Sequence, residues 1–251
     1  MSLFSLINKL LVSNLNKAKI IEVSSHYILR EKINQNSLIF DLGANKGNFY
    51  RNMQQRFGGH YIAVEASLSL FQVLPKINNV DVYNYALGNT NDDVTFYLSS
   101  NNEANSMDKN IAGVWGTENH EIVSGITFDS LIEKLNIQKQ IDLVKIDIEG
   151  AEIAMLDDLS AQTLTKIAQI SVEFHDFLNH DVTSVKRMVS KLKKNHFFTL
   201  KISNQDWREV LFINTKLIKL NGNQFFRLAV IHPFLQLLKS FHIYLGRKIR
   251  S

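Results

Sequence analysis

The sequence predicts an α/β fold built around a mostly parallel sheet. Three observations predict it. Short β-branched runs recur along the chain, helical stretches separate them, and the first strong run passes through a glycine-bearing turn straight into a helix. The parallel strands are expected at Leu38 to Leu42, Tyr61 to Glu65, Val80 to Tyr85, Leu143 to Ile148 and Ile167 to Glu173. Each is short and mostly apolar, as strands covered on both faces are.

The remaining elements follow in order. Val94 to Leu98 alternates polar and apolar residues, and Ile122 to Phe128 is expected to pair beside it as an added strand pair, ahead of a helix from Asp129 to Leu135. Ser184 to Lys194 reads as a helix. Phe197 to Ile202 and Arg208 to Ile213 then close the sheet, which brings the expected total to seven strands. Only Pro75 and Pro233 occur, and no Gly/Ser-rich linker or repeat divides the chain. We therefore expect one domain over 37–215, with a helical N-terminal extension (1–36) and a basic amphipathic C-terminal extension (216–251). The Asn-rich segment Ser99 to Thr117 is long enough to be a lid.

Composition narrows the function classes. Hydrophobic and charged residues, 45% and 21%, are in globular balance, and no stretch reaches the roughly 18 apolar residues of a membrane span. The absence of cysteine excludes disulfides, thiolate metal sites and a Cys nucleophile. Asn8 and Lys9 interrupt any signal-peptide core near the N-terminus, so a cytoplasmic location is expected. The charge of +4 is modest, and Lys239, Arg247, Lys248 and Arg250 supply part of it, so nucleic acid is not an expected partner. The same end carries Phe234, Leu237, Leu238, Phe241 and Leu245 at helical spacing. That segment could lie on an anionic membrane, pack on the domain, or pair with the N-terminal helix or a second subunit.

The turn after the first strand reads Asp41-Leu42-Gly43-Ala44-Asn45-Lys46-Gly47, followed by a helix to about Phe57. Gly43 permits backbone angles that a side chain forbids, and Gly47 lets the helix start close to the strand with space for a ligand. A dinucleotide fingerprint would need further glycines at Asn45 and Asn48, so pyrophosphate is a poor fit. Asp41 is placed to accept from an ammonium group. Glu65, at the end of the second strand, is placed to bind both hydroxyls of a ribose. Ala86 and Leu87, after the third strand, lie where an adenine edge is expected. A nucleoside with an amino-acid tail fits these features, and S-adenosylmethionine is such a ligand.

In Lys145-Ile146-Asp147-Ile148-Glu149, strand alternation puts Lys145, Asp147 and Glu149 on one side. Three charges on one side of a central strand need a partner or a ligand, because burying them unpaired is costly. They are expected to converge at the carboxyl edge, where open α/β sheets bind ligands, joined by Glu173 and His175 from the fifth strand. Helix capping by Glu149 and Glu152 is the plainer alternative.

The segments FDLGANKGNF (Phe40 to Phe49), VEAS (Val64 to Ser67), YALGNTNDDVTFY (Tyr85 to Tyr97), TFDSL (Thr127 to Leu131), DLVKIDIEGAE (Asp142 to Glu152) and ISVEFH (Ile170 to His175) resemble, in order and spacing, the blocks of FkbM-type methyltransferases. The resemblance covers about Ser37 to His175. Two departures are Ala66-Ser67, where a proline often follows the ribose-binding acid, and the loop Asn101 to Met107, which lacks its usual glycine.

The resemblance implies the Rossmann-like seven-stranded fold of class I methyltransferases. It also implies methyl transfer from S-adenosylmethionine to a hydroxyl of a sugar, glycan or other natural-product scaffold. With Asp147 also beside the cofactor, such a reaction suggests His175 as general base and Asp147 as the orienting group, with Glu149 adjacent. A divalent cation on Asp147, Glu173 and His175 is an alternative that the spacing does not demand. Two rival readings remain. One is a nucleic-acid methyltransferase, which would lack the Asn/Asp-Pro-Pro-aromatic motif and a C5-active cysteine. The other is a non-catalytic, membrane-associated binding protein of the same fold; a homo-oligomer also stays open.

Overall fold

The computed structural model describes residues 2–99, 106–107, 112–113, 117–175, 182–202 and 207–248. Most of the expected lid, 99–117, therefore lies outside the described residues. Helix α1 (Leu3–Lys17) leads into a hairpin of β1 (Ile20–Val23) and β2 (His26–Leu29). The core follows as β3 (Leu38–Leu42), α2 (Asn48–Phe57), β4 (His60–Glu65), α3 (Leu68–Val73) and β5 (Val80–Asn84). Next come β6 (Ala86–Gly88), β7 (Asp93–Ser99), β8 (Thr117–Thr127), α4 (Phe128–Lys134) and β9 (Leu143–Ile146). Then α5 (Glu152–Asp158), α6 (Ala161–Lys166), β10 (Gln169–Glu173), α7 (Val182–Lys194), β11 (Phe197–Lys201) and β12 (Glu209–Asn214) complete the core. The chain continues through α8 (Gly222–Phe226) and a π-turn (Arg227–Ile231) into α9 (His232–Lys248).

The main sheet has seven strands in the order β11-β12-β10-β9-β3-β4-β5, and β12 alone runs against its neighbours. The direction of the strand order reverses between β3 and β9, which makes their carboxyl ends the crevice where such sheets bind ligands. β3, Leu-Ile-Phe-Asp-Leu, is buried at every position. Phe40 and Leu42 enter the core on one face and Ile39 the core on the other, so the near-continuous apolar run reflects cover on both sides.

Three expectations change. β9 stops at Ile146 rather than Ile148, because Glu149 and Gly150 take positive φ (53° and 106°) and turn the chain away. The added strand pair is a three-stranded sheet, since β6 leaves the main sheet and runs parallel to β8. The N-terminal extension is not all helix. Ser24 and Ser25 both take positive φ (48° and 67°), the geometry of a two-residue hairpin turn. Gln169 docks the hairpin by accepting from Leu29 N at 2.7 Å.

Gly43 sets how closely β3 and β9 meet. It sits at φ +78°, and a Cβ there would lie 1.8 Å from the Asp147 carbonyl oxygen. That neighbour is backbone and cannot rotate away. Gly43→Ala is therefore expected to destabilise the domain by about 3 kcal/mol or more, and thermal unfolding would measure it. A melt unchanged from wild type would contradict the tight contact.

Candidate active site

The turn after β3 is held from below. Gly43 N and Ala44 N both donate to Val64 O at 2.9 Å, and Asp147 N donates to Leu42 O at 3.1 Å. Parallel register sets Asp41 beside Lys145. The Lys145 ammonium lies 3.1 Å from Asp41 Oδ1 and donates to Leu42 O (3.2 Å) and Gly43 O (2.6 Å). Asp41 is fully buried and also accepts from Tyr50 N at 3.2 Å.

This corrects two expectations. Asp41 lines neither cavity at the sheet edge, and the ammonium it meets belongs to Lys145. Gly47 is at φ +74°, but the space over it is filled by Tyr50, whose hydroxyl would lie 2.4 Å from an added Cβ. Gly47 thus serves the packing of α2, not ligand clearance.

Burial opposes the charge on Lys145, but Asp41 and Asp147 outweigh it and raise its pKa. Lys145→Met leaves the Asp41 carboxylate buried without its counter-ion, so a loss of about 3–5 kcal/mol is expected in chemical denaturation. Adding Asp41→Asn, which keeps an acceptor for Tyr50 N, should recover most of that loss. A double variant no more stable than Lys145→Met would show that the pair is not the cause.

Two cavities share Gly43, Asn45, Asp147 and Glu149 in their walls. The first is closed by Glu65, Leu70, Tyr85, Ala86, Leu87 and Phe96, so that away from the shared acids its walls are apolar with Glu65 as their one carboxylate. Glu65 accepts from Asn45 N (2.7 Å) and Ser67 N (2.9 Å), while Asn84 donates to the Glu65 and Ala66 carbonyls at 2.8 Å each. Each carboxylate oxygen keeps a further acceptor position. Burial raises the Glu65 pKa against the pull of those two amides and Lys145. Asn45, at φ +50°, has a buried Oδ1 without a hydrogen-bond partner among the described residues. A ligand N–H would satisfy it.

The second cavity is polar. His26, Lys145, Glu173 and His175 line it together with the shared residues. His175 Nδ1 is 3.0 Å from Glu152 Oε1, and its Nε2 is 3.3 Å from Glu149 and 3.9 Å from Asp147. Burial opposes the imidazolium, but the hydrogen bond and charge of Glu152, with Glu149 and Asp147, raise its pKa to about 10. The Glu149 pKa is raised as well. Burial pushes it up to about 8; His175 opposes this, and Asp147, Glu152 and Glu173 add to it. Asp147 is held well below the usual carboxylate range, because Lys145, His26 and His175 overcome its burial.

The expected cation set of Asp147, Glu173 and His175 divides. The donor atoms that lie within 4.8 Å of one another are those of His26, Asp147 and Glu173, and those of Asp147, Glu149 and His175. The cause is the end of β10 at Glu173, after which His175 is drawn toward Glu152.

Two residues were missed in the sequence. His26 stands 121 positions before Asp147, and no local spacing announces it, yet its Nε2 lies 3.6 Å from Asp147 Oδ2. Glu152 reads as a helix-capping acid, and it does accept from Ile148 N and Gly150 N. It also holds the His175 ring.

Residues 41–199 match the family described as the methyltransferase FkbM domain. No curated protein sequence matches the chain. Among solved structures, a methyltransferase FkbM from Methylobacillus flagellatus KT is 12% identical with a TM-score of 0.51; the match covers 85% of this chain and 55% of that one. This chain thus spans little more than half of that relative. Fibrillarin from Aeropyrum pernix, solved with S-adenosyl-L-methionine, is 10% identical with a TM-score of 0.42 over 80% of this chain and 72% of its own. An rRNA methylase from Streptococcus thermophilus is 10% identical with a TM-score of 0.43 over 73% and 90%. At such identities the structural likeness shows a fold and no acceptor. The family match spans well over half of the sequence and includes the turn, Glu65, Asp147 and His175, so this chain belongs to the FkbM methyltransferase family.

Proposed function

We propose that this chain is an S-adenosylmethionine-dependent O-methyltransferase acting on a hydroxyl of a sugar, glycan or other natural-product scaffold. The observation that carries the proposal is the junction of two unlike cavities at Gly43, Asn45, Asp147 and Glu149. An apolar slot with a carboxylate at Glu65 suits a nucleoside, and a polar, acid-rich cavity suits a hydroxylated acceptor. S-adenosylmethionine, when bound, supplies an electrophilic methyl group. Glu65 would hold its ribose, Leu87 and Phe96 its adenine, and Asn45 Oδ1 its amino group.

On the acceptor side we assign the base role to Glu149 in place of His175. Glu152, Glu149 and Asp147 raise the pKa of His175 and favour its charged form, which cannot take up a further proton. Glu149, near 8, faces both cavities and takes the base role: its carboxylate would take the proton of the acceptor hydroxyl while the hydroxyl oxygen takes the methyl group, with S-adenosylhomocysteine as the leaving group. His175 orients Glu149, and its charge helps the carboxylate form.

Isothermal titration of the wild-type protein with S-adenosylhomocysteine tests the cofactor, and a screen of sugar acceptors with labelled cofactor tests the reaction. No binding would refute the first, and transfer only to RNA or to nitrogen would refute the second.

A further inference from the structure

Helix α9 is amphipathic in the inverted sense. Its inward face carries His232 and Gln236, which bond to the carbonyls of Lys201 and Ile202. Its outward face carries Phe234 (58% exposed), Leu237 (60%), Phe241 (59%) and Tyr244 (60%). With Phe226 and Val230, these follow one another at steps of four, four, three, four and three residues, one continuous stripe through the π-turn. At ~1.5 Å per residue the stripe is about 27 Å long.

α1 packs beside α9 through Ile7, Leu11 and Leu235 and leaves Leu3, Leu6 and Leu10 exposed. Phe4 bridges the two helices, stacked on His242 at 6.2 Å with the Lys239 ammonium 5.6 Å from its ring. Among the described residues, thirteen of the seventeen exposed large apolar side chains lie on α1 or within 225–244, so the patch is concentrated there. Patches of this kind mark an interaction surface.

Charge says what meets it. Residues 1–21 and 215–251 together hold ten lysines and arginines and no aspartate or glutamate. Residues 22–214 hold 18 basic against 24 acidic residues, so the net positive charge of the chain resides entirely in its two ends. No helix among the described residues is long and apolar enough to cross a membrane. An apolar stripe carried on segments whose only charged residues are basic matches a bilayer face with anionic headgroups, with the helices lying in the interface plane. We infer that the α1–α9 pair is a docking surface for an anionic phospholipid bilayer, which brings the active site to acceptors at a membrane.

Co-sedimentation of the full chain with phosphatidylcholine vesicles, with and without phosphatidylglycerol, tests this. The wild type is expected to sediment only with the phosphatidylglycerol vesicles and to be released by salt. Leu237→Asp with Phe241→Asp should weaken partitioning by roughly tenfold or more. Both side chains are exposed, so the thermal melt and S-adenosylhomocysteine affinity should not change. Phe241→Trp should show a blue-shifted emission with the same vesicles. Failure to sediment, or equal binding to pure phosphatidylcholine, would overturn the inference. So would a dimer in sedimentation velocity that the Asp variants dissociate while vesicles are ignored, because the stripe would then be covered by a second copy.

Discussion

Replacing Glu65 by alanine is expected to weaken S-adenosylhomocysteine binding by about 10² to 10⁴-fold. Hydrogen bonds to a charged group contribute about 1.5–3 kcal/mol each, and two ribose hydroxyls would lose such a partner. The wall also changes, because Asn45 N and Ser67 N lose the oxygens they now donate to, at 2.7 and 2.9 Å. Glu65→Gln separates the two effects. It keeps one acceptor oxygen for the turn but loses the charge and half the ribose contacts, so its affinity should fall between wild type and alanine. Isothermal titration of all three gives the order. If Glu65→Ala binds as tightly as wild type, the ribose contact lies elsewhere in the cavity.

Glu65 was legible because everything that places it is local. A five-residue strand, a glycine turn and a second strand ending in an acid are periodic features of one stretch of chain, and β4 ends at Glu65 as read. Asp41 was misread because its partner is not local. Strand register sets it against Lys145, and a sequence pattern cannot show which of two ammonium groups occupies the place. The alternation argument for Lys145, Asp147 and Glu149 failed at its last member, since Glu149 leaves the strand at φ +53°. It still reached the site, carried there by the turn. The β1–β2 hairpin was invisible for a related reason. Two serines take the positive φ values that Asn or Gly usually signals, and the hairpin is secured by Gln169, 140 residues from Leu29. His26 entered the site on that hairpin unannounced.

The roles of Glu149 and His175 are the point at which chemistry departs furthest from the sequence reading, and one pair of substitutions decides between them. Glu149→Gln is expected to lower kcat for methyl transfer by about 10² to 10⁴-fold, the usual contribution of a general base, while S-adenosylhomocysteine still binds. In the wild type the rate should rise as pH passes through about 8, where Glu149 gives up its proton, and Glu149→Gln should remove that limb. His175→Asn acts in a defined direction. The imidazolium lowers the Glu149 pKa, so losing it pushes that pKa up and moves the rising limb to higher pH without abolishing it. Were His175 the base, the outcomes would exchange: the limb would vanish in His175→Asn and persist in Glu149→Gln. Burial makes Glu149 reluctant to ionise, and Glu152, whose Oε1 lies 3.0 Å from His175 Nδ1, favours a positive charge beside it. A carboxylate poised near neutrality by these two opposing effects is basic enough to take a hydroxyl proton and is still ionised often enough to do so.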